Sequence, residues 1–200
     1  MERSELIHAV QVKVDELTPF EGLAIPIDGD NDKPVDLFID RLLDEAAREV
    51  LKRASLSLVT TGSVRNEAVD LGDGSGYVVV PEDFLRLVRF KMAGWKRSVS
   101  VAVEFTDPVY RMQFDEFDRG GVAKPVCAVG RKDGRKVLEY FSVKGEPRVE
   151  IFEYVPALRA EEVGADLTDA LTWMCAGKVL QITGSPLAET AYKTAMDLLV

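Results

Sequence analysis

Apolar positions recur at helical spacing near both ends of the chain and alternate with polar positions through its middle. Ile7, Val10, Val14 and Leu17 lie three or four residues apart, so residues 3–17 are expected to form a helix, with Ser4 as its cap. Pro19 ends it, because the residue before a proline disfavours helical dihedrals. A connector rich in glycine, proline and aspartate follows to Lys33. Residues 34–54 give the second helix, opening on Pro34, whose missing amide hydrogen costs little in a first turn. Its apolar face reads Leu37, Phe38, Leu42, Ala46, Val50 and Ala54, widened by Ile39, Leu43 and Ala47. Asp36 near its start and Arg48, Lys52 and Arg53 near its end match the polarity of a helix dipole.

The middle, 56–154, has the texture of strands. Short ones are expected around Leu56, Leu58 and Val59 and over 64–71, followed by an Asp73-Gly74-Ser75-Gly76 turn and a strand over 77–80. Residues 84–95 give a long strand whose two alternating series slip by one residue between Leu87 and Val88, the mark of a β-bulge, although a helix competes there. Val99, Val101, Val103 and Phe105 alternate as the next strand. Asp107 and Pro108 suit the start of a short helix with Tyr110, Phe114 and Phe117 as its apolar contacts. Strands over 125–129, 136–143 and 148–154 are joined by turns at Arg131–Arg135 and Lys144–Pro147. Helical spacing returns over 166–183, capped by Asp166 or Thr168, and over 186–199, where Ser185 is the cap and Pro186 the first helical residue. The expected fold is a single α+β domain over 1–200, with N-terminal and C-terminal helices packed together beside a central, mainly antiparallel β region. Helices this clustered disfavour the alternating order of a doubly wound sheet.

Composition narrows the function classes. At 200 residues, 46% apolar and 30% charged, the chain has material for a core and is neither a disordered tail nor a cysteine-stapled mini-protein. A formal charge of −9 argues against non-specific binding to nucleic acid or an anionic bilayer. The first residues carry no apolar signal core, and no run approaches the roughly 18 apolar residues of a membrane span, so an unsecreted protein without membrane contact is expected. Cys127 falls in a strand and Cys175 in a helix, both read as free buried thiols. With one histidine and no CxxC, a structural zinc site is not expected.

Several motifs suggest chemistry and then fail a structural requirement. Asp28-Gly29-Asp30-Asn31-Asp32 opens like a calcium loop, but Lys33 stands where glycine is needed and Ile39 where the bidentate glutamate belongs. Gly72, Gly74 and Gly76 lead into the strand-like Tyr77-Val78-Val79-Val80, not the helix of a dinucleotide site. Gly177-Lys178 lacks a preceding glycine-rich phosphate loop. His8 has no obvious nucleophile to activate, and Glu82 and Asp83 read as a polar turn beside Pro81. The useful anomaly is Arg86, Arg89, Lys91, Lys96 and Arg97, since no acidic residue lies between Phe84 and Val103. That face is open to three readings: a solvated strand, a contact for DNA phosphate, or one for an acidic protein neighbour. Trp95 beside it either anchors an interface or packs in the core.

The stretch Val80-Pro81-Glu82-Asp83-Phe84-Leu85-Arg86-Leu87, followed by Gly94-Trp95, resembles tailed-phage head–tail connector proteins of the adaptor or tail-tubular-A type. The order is similar too: an early helix over 34–54, a strand-rich middle, a Pro108-Val109-Tyr110 segment, and helices carrying Ala170-Leu171-Thr172-Trp173 and Ala188-Glu189-Thr190-Ala191. The resemblance implies a non-enzymatic ring subunit in the neck of a phage or prophage, without a cofactor. Its implied partners are copies of itself, the portal, other neck or tail proteins, and double-stranded DNA in passing. Its implied location is the virion, and the host cytoplasm during assembly. A non-catalytic interaction module of another phage assembly is the alternative, and a carboxylate-dependent enzyme a third.

Overall fold

A computed structural model describes residues 1–17, 34–115 and 117–200. Its helices are α1 (Arg3–Leu17), α2 (Pro34–Arg53), α3 (Pro108–Met112), α4 (Thr168–Ile182) and α5 (Ala188–Asp197). Its strands are β1 (Gly62–Ser63), β2 (Ala68–Asp70), β3 (Gly76–Val79), β4 (Phe84–Met92), β5 (Val103–Glu104), β6 (Cys127–Lys132), β7 (Arg135–Tyr140) and β8 (Val149–Pro156). The fold is α+β, with the N- and C-terminal helices packed together. The folded chain separates into two compact units: Met1–Thr60 with Ala157–Val200, and Thr61–Pro156.

In the helical unit, α4 is central and packs against α1, α2 and α5. It is buried on nearly every side, through Ala170, Leu171, Met174, Cys175, Ala176, Val179 and Leu180, as a helix covered by three others must be. The α2 stripe is Ile39, Leu43, Ala46, Ala47, Val50 and Leu51. Leu37, assigned to that stripe from spacing, is instead 57% exposed. In α1 the buried face is Leu6, Val10 and Val14, with Leu6 taking the place expected of Ile7. A Cβ on Gly177 would lie 2.7 Å from the Tyr192 ring, so the closeness of α4 and α5 depends on glycine there.

The expected caps are corrected. Ser4 lies inside α1, and Glu5 reaches back to accept from the Glu2 amide at 2.9 Å. Neither Asp166 nor Thr168 caps α4; a 3₁₀ turn over Ala165–Leu167 leads into it. α5 begins at Ala188, and Ser185 Oγ accepts from the Leu187 amide at 3.3 Å in the turn before it.

The β unit holds two sheets, ordered β1-β8-β4 and β2-β3-β7-β6-β5. Every pairing is antiparallel except β5 with β6. The β4–β8 register slips between Leu87 and Arg89, where alternation in the sequence slips, and also between Phe84 and Arg86 and between Lys91 and Met92. The core is aromatic. Phe90 meets Phe152 at 5.5 Å and Trp95 at 5.7 Å, both edge-on, while Phe84 stacks on Tyr154 at 5.8 Å. Asp133 (φ 50°) and Gly134 (φ 77°) form the tight turn between β6 and β7, a geometry that matches strand twist.

Three strand expectations do not hold as drawn. Leu56–Val59 is a turn, in which the Leu58 amide donates to Ser55 O at 3.0 Å and the Ser55 and Ser57 hydroxyls pair at 2.9 Å. Local serine bonding there replaces a ladder. The stretch 64–71 contributes only β2, and Val99–Phe105 only the Phe90–Val99 bridge and β5. Alternation in that last run implied one buried side, yet Val101 is 75% and Phe105 69% exposed.

Candidate functional site

The β4–β8 ladder decides what the basic segment presents. Its register sets Arg89 opposite Glu153. Arg89 Nε and Nη2 donate to the Glu153 carboxylate at 3.1 and 2.7 Å, a two-pronged pairing that raises the guanidinium pKa. Lys91 Nζ donates to Glu150 Oε1 at 2.9 Å. A stretch without acids in sequence is therefore not an acid-free surface, because β8 supplies the counter-charges. Arg86 is half-buried, and burial lowers its pKa. Arg97 is exposed and donates through Nε to Ala123 O at 2.6 Å, and Lys96 is exposed beside it. Trp95 belongs to the core, 3% exposed and edge-on to Phe90. Its Nε1 is buried without an acceptor among the described residues. Trp95 is therefore no exposed anchor, and packing is its role in this chain.

A second cationic feature lies at the β6–β7 hairpin, where four of the six residues Arg131–Lys136 are basic. The register sets Arg131 opposite Lys136 and Lys132 opposite Arg135. Like charges facing each other across a ladder are unfavourable. Two of the four are compensated within the unit. Lys132 Nζ lies 3.3 Å from Glu139 Oε1, and Lys136 Nζ sits over the Phe84 ring at 4.6 Å. Arg131 and Arg135 are exposed and make no ion pair among the described residues. Glu139 also accepts from the Tyr110 hydroxyl at 2.8 Å, which fastens α3 to the sheet. Burial first, and then Glu139, push Tyr110 up to about 12. The sequence carries this signal in Arg131-Lys132-Asp133-Gly134-Arg135, where turn residues stand among three cations.

Strand β5 borders β6, and the stretch around and after β5 carries exposed apolar side chains. Besides Val101 and Phe105 it includes Val109, Met112, Phe114 and Phe117, the last 95% exposed. Phe114 is steadied edge-on by Tyr110 at 5.2 Å and Phe141 at 6.0 Å, so its exposed ring is held in place. Asp107 accepts from the Val109 amide at 2.8 Å and caps α3 as expected.

The remaining candidates stay apart. The Asp28–Asp32 cluster and Lys33 lie outside the described residues. Gly72, Gly74 and Gly76 belong to the β2–β3 hairpin, and a Cβ on Gly76 would collide with Val69 O and the Tyr140 hydroxyl. Gly177 and Lys178 lie within α4, where Lys178 pairs with Glu45 at 2.8 Å and Glu49 at 3.3 Å. His8 is exposed on α1. Asp83 accepts from the Tyr154 hydroxyl at 3.0 Å, while Glu82 is exposed beside it. Cys127 and Cys175 are free and buried, and burial pushes both thiols up to about 12. Among the described residues no three His, Cys, Asp or Glu side chains are grouped to hold a metal, and no helix is long and apolar enough to cross a membrane. An open trough of about 600 Å³ in the β unit is lined by charges of both signs, Arg65 and Arg148 with Glu67, Glu146 and Glu150. No family model matches the chain, and no curated protein matches it.

Proposed function

We propose that this chain is a structural, non-catalytic subunit of a phage or prophage neck, joining portal to tail as one copy in an oligomeric ring. The observation that carries the reading is the exposed apolar series Val101, Phe105, Val109, Met112, Phe114 and Phe117 along one stretch of the β unit. A contiguous exposed apolar patch is the mark of a surface that another protein covers, and in this reading the series forms one. The α+β fold, the order of its elements and the Val80–Leu87 stretch similar to head–tail connectors support the same reading. A ring also requires two unlike faces on each subunit, because a heterologous contact repeats around an axis. The two units differ enough in charge and core chemistry to supply them.

In this reading the partners are neighbouring copies, the portal and more distal neck or tail proteins, with double-stranded DNA passing through. The chain resides in the virion, and in the host cytoplasm during assembly. Co-expression with candidate portal and neck proteins, followed by mass measurement and electron microscopy, tests it. Discrete rings seated on a portal are the expected result. Failure to associate across a concentration and salt series overturns the reading. Assembly with tail or baseplate proteins alone replaces it with membership of another phage assembly.

A further inference from the structure

The formal charge is divided unevenly between the two units. Residues 1–60 and 157–200 hold 19 acidic and 10 basic side chains, so the whole −9 belongs to the helical unit, whereas 61–156 hold 15 of each. Against that background stands the β6–β7 hairpin, with two pairs of like charges facing across its ladder and two exposed arginines without a carboxylate partner among the described residues. Strand β5 is the edge of the same sheet, running parallel to β6 with Glu104 opposite Val129. Phe105 follows Glu104 at the end of β5, in the turn closed by the Asp107 amide on Glu104 O at 3.0 Å, and is exposed. Strand β5 thus brings an exposed ring to the edge of the sheet beside β6, the strand that runs into the cationic hairpin.

We propose that this hairpin and Phe105 form a docking surface for the helical unit of a second copy of this chain. The acidic excess that would neutralise Arg131 and Arg135 is present in every copy, on the unit that does not carry them. The helical unit also offers exposed apolar side chains, Leu37, Ile182 and Leu198 among them, for Phe105 and Val101 to cover. A DNA backbone would match the arginines but not the ring, and a chain of net −9 is repelled by it at long range. The contact joins unlike surfaces, so it propagates head to tail and closes or extends according to its rotation. Closure around a portal axis rests on the ring reading above; the contact itself does not.

Charge reversal at the two exposed arginines separates this role from a structural one. Arg131→Glu with Arg135→Glu places a carboxylate opposite Lys136 and Lys132, turning both like-charge pairs into opposite-charge pairs. The thermal midpoint of the monomer should hold or rise, while self-association measured by sedimentation at low salt should weaken about tenfold or more. Wild-type association should also fall as salt rises. Phe105→Ser provides a second variant, expected to weaken association without the salt dependence changing. Carbodiimide cross-linking of mixed isotope-labelled and unlabelled copies should join Lys132 or Lys136 of one copy to carboxylates in 1–60 or 157–200 of another. A wild-type chain that stays monomeric at low salt, undiminished association in the reversed variant, or cross-links running only between β units overturns the proposal. So does a variant that loses affinity for duplex DNA while its self-association is unchanged. Rings on a portal that form equally well with the reversed variant overturn this contact and leave the ring reading intact.

Discussion

The two units solve the same problem, burying enough apolar surface to fold, with different side chains. The helical unit packs alanines and aliphatic residues: Ile39, Leu43, Ala46, Ala47, Leu171, Ala191 and Ala195 are fully buried, and Gly177 lets Tyr192 approach. The β unit packs rings: Phe90, Trp95, Tyr140 and Phe152 lie in one cluster. Small side chains let helices approach closely, and the polar and charged groups are left on the outside, where the acidic excess collects. Rings span the wider gap between sheets and fill it with few residues. The same unit then has rings to spare at its surface, at Phe105, Phe114 and Phe117. One unit is acidic with an aliphatic core, and the other is neutral with exposed rings and a cationic hairpin. The proposed contact between copies draws on that contrast.

The contrast is broken most severely from the core. Phe152→Ala removes a ring that touches Phe84, Phe90 and Tyr154, and about 3–5 kcal/mol of stability should go with it. Chemical denaturation checks this, and a loss under about 1 kcal/mol would mean the aromatic cluster is not what holds the β unit together. In the helical unit the sensitive change is an enlargement. Gly177→Ala should cost about 1–3 kcal/mol despite alanine's better helix propensity, because the new methyl meets the Tyr192 ring. A neutral or stabilising result would show that α5 yields at this crossing.

Much of the helical unit was legible from sequence because its signal is local. The range of α1, nearly that of α2, and the core of α4 follow from spacing within each segment. Which edge of the α2 stripe stays dry does not, and Leu37 sits on the wet side because no described residue covers that edge. The β unit was harder to read. The slip at Leu87 could be read along one strand, but the carboxylates facing Arg89 and Lys91 lie about 60 residues later in sequence and meet them only through the β4–β8 register. Val101 and Phe105 alternate like strand residues, but alternation alone does not say whether either side is buried within the chain. The candidate site was therefore half visible: its charge could be counted, its pairing could not.

Smaller effects sharpen the difference through pH. Tyr110→Phe removes a hydrogen bond to a buried carboxylate and should cost about 1–2 kcal/mol near neutral pH. Tyr110 and Tyr140 are each pushed up to about 12, from about 10 in an unfolded chain. A raised folded value means that the stability each contributes is complete below pH ~10 and is lost as the pH rises through about 12. Denaturation across that window should show less alkaline loss in Tyr110→Phe than in the wild type. Asp44 in the helical unit shifts the other way. Burial raises it, but the Ala160 amide at 3.0 Å and Arg3 outweigh burial and hold it below its ordinary value. Its contribution is present above about pH 4 and is lost as the pH falls through the depressed folded value. Asp44→Asn should flatten the acid limb of the stability curve, the smallest of these effects, and an unchanged limb would remove Asp44 as its source.

The most direct measurement is electron microscopy of the full chain assembled with a portal, at a resolution that distinguishes helices from sheets. Copies should repeat around one axis, each placing its β6–β7 hairpin and Phe105 against the helices of the next. Particles with a single copy, or with like units meeting across a two-fold axis, would contradict the account.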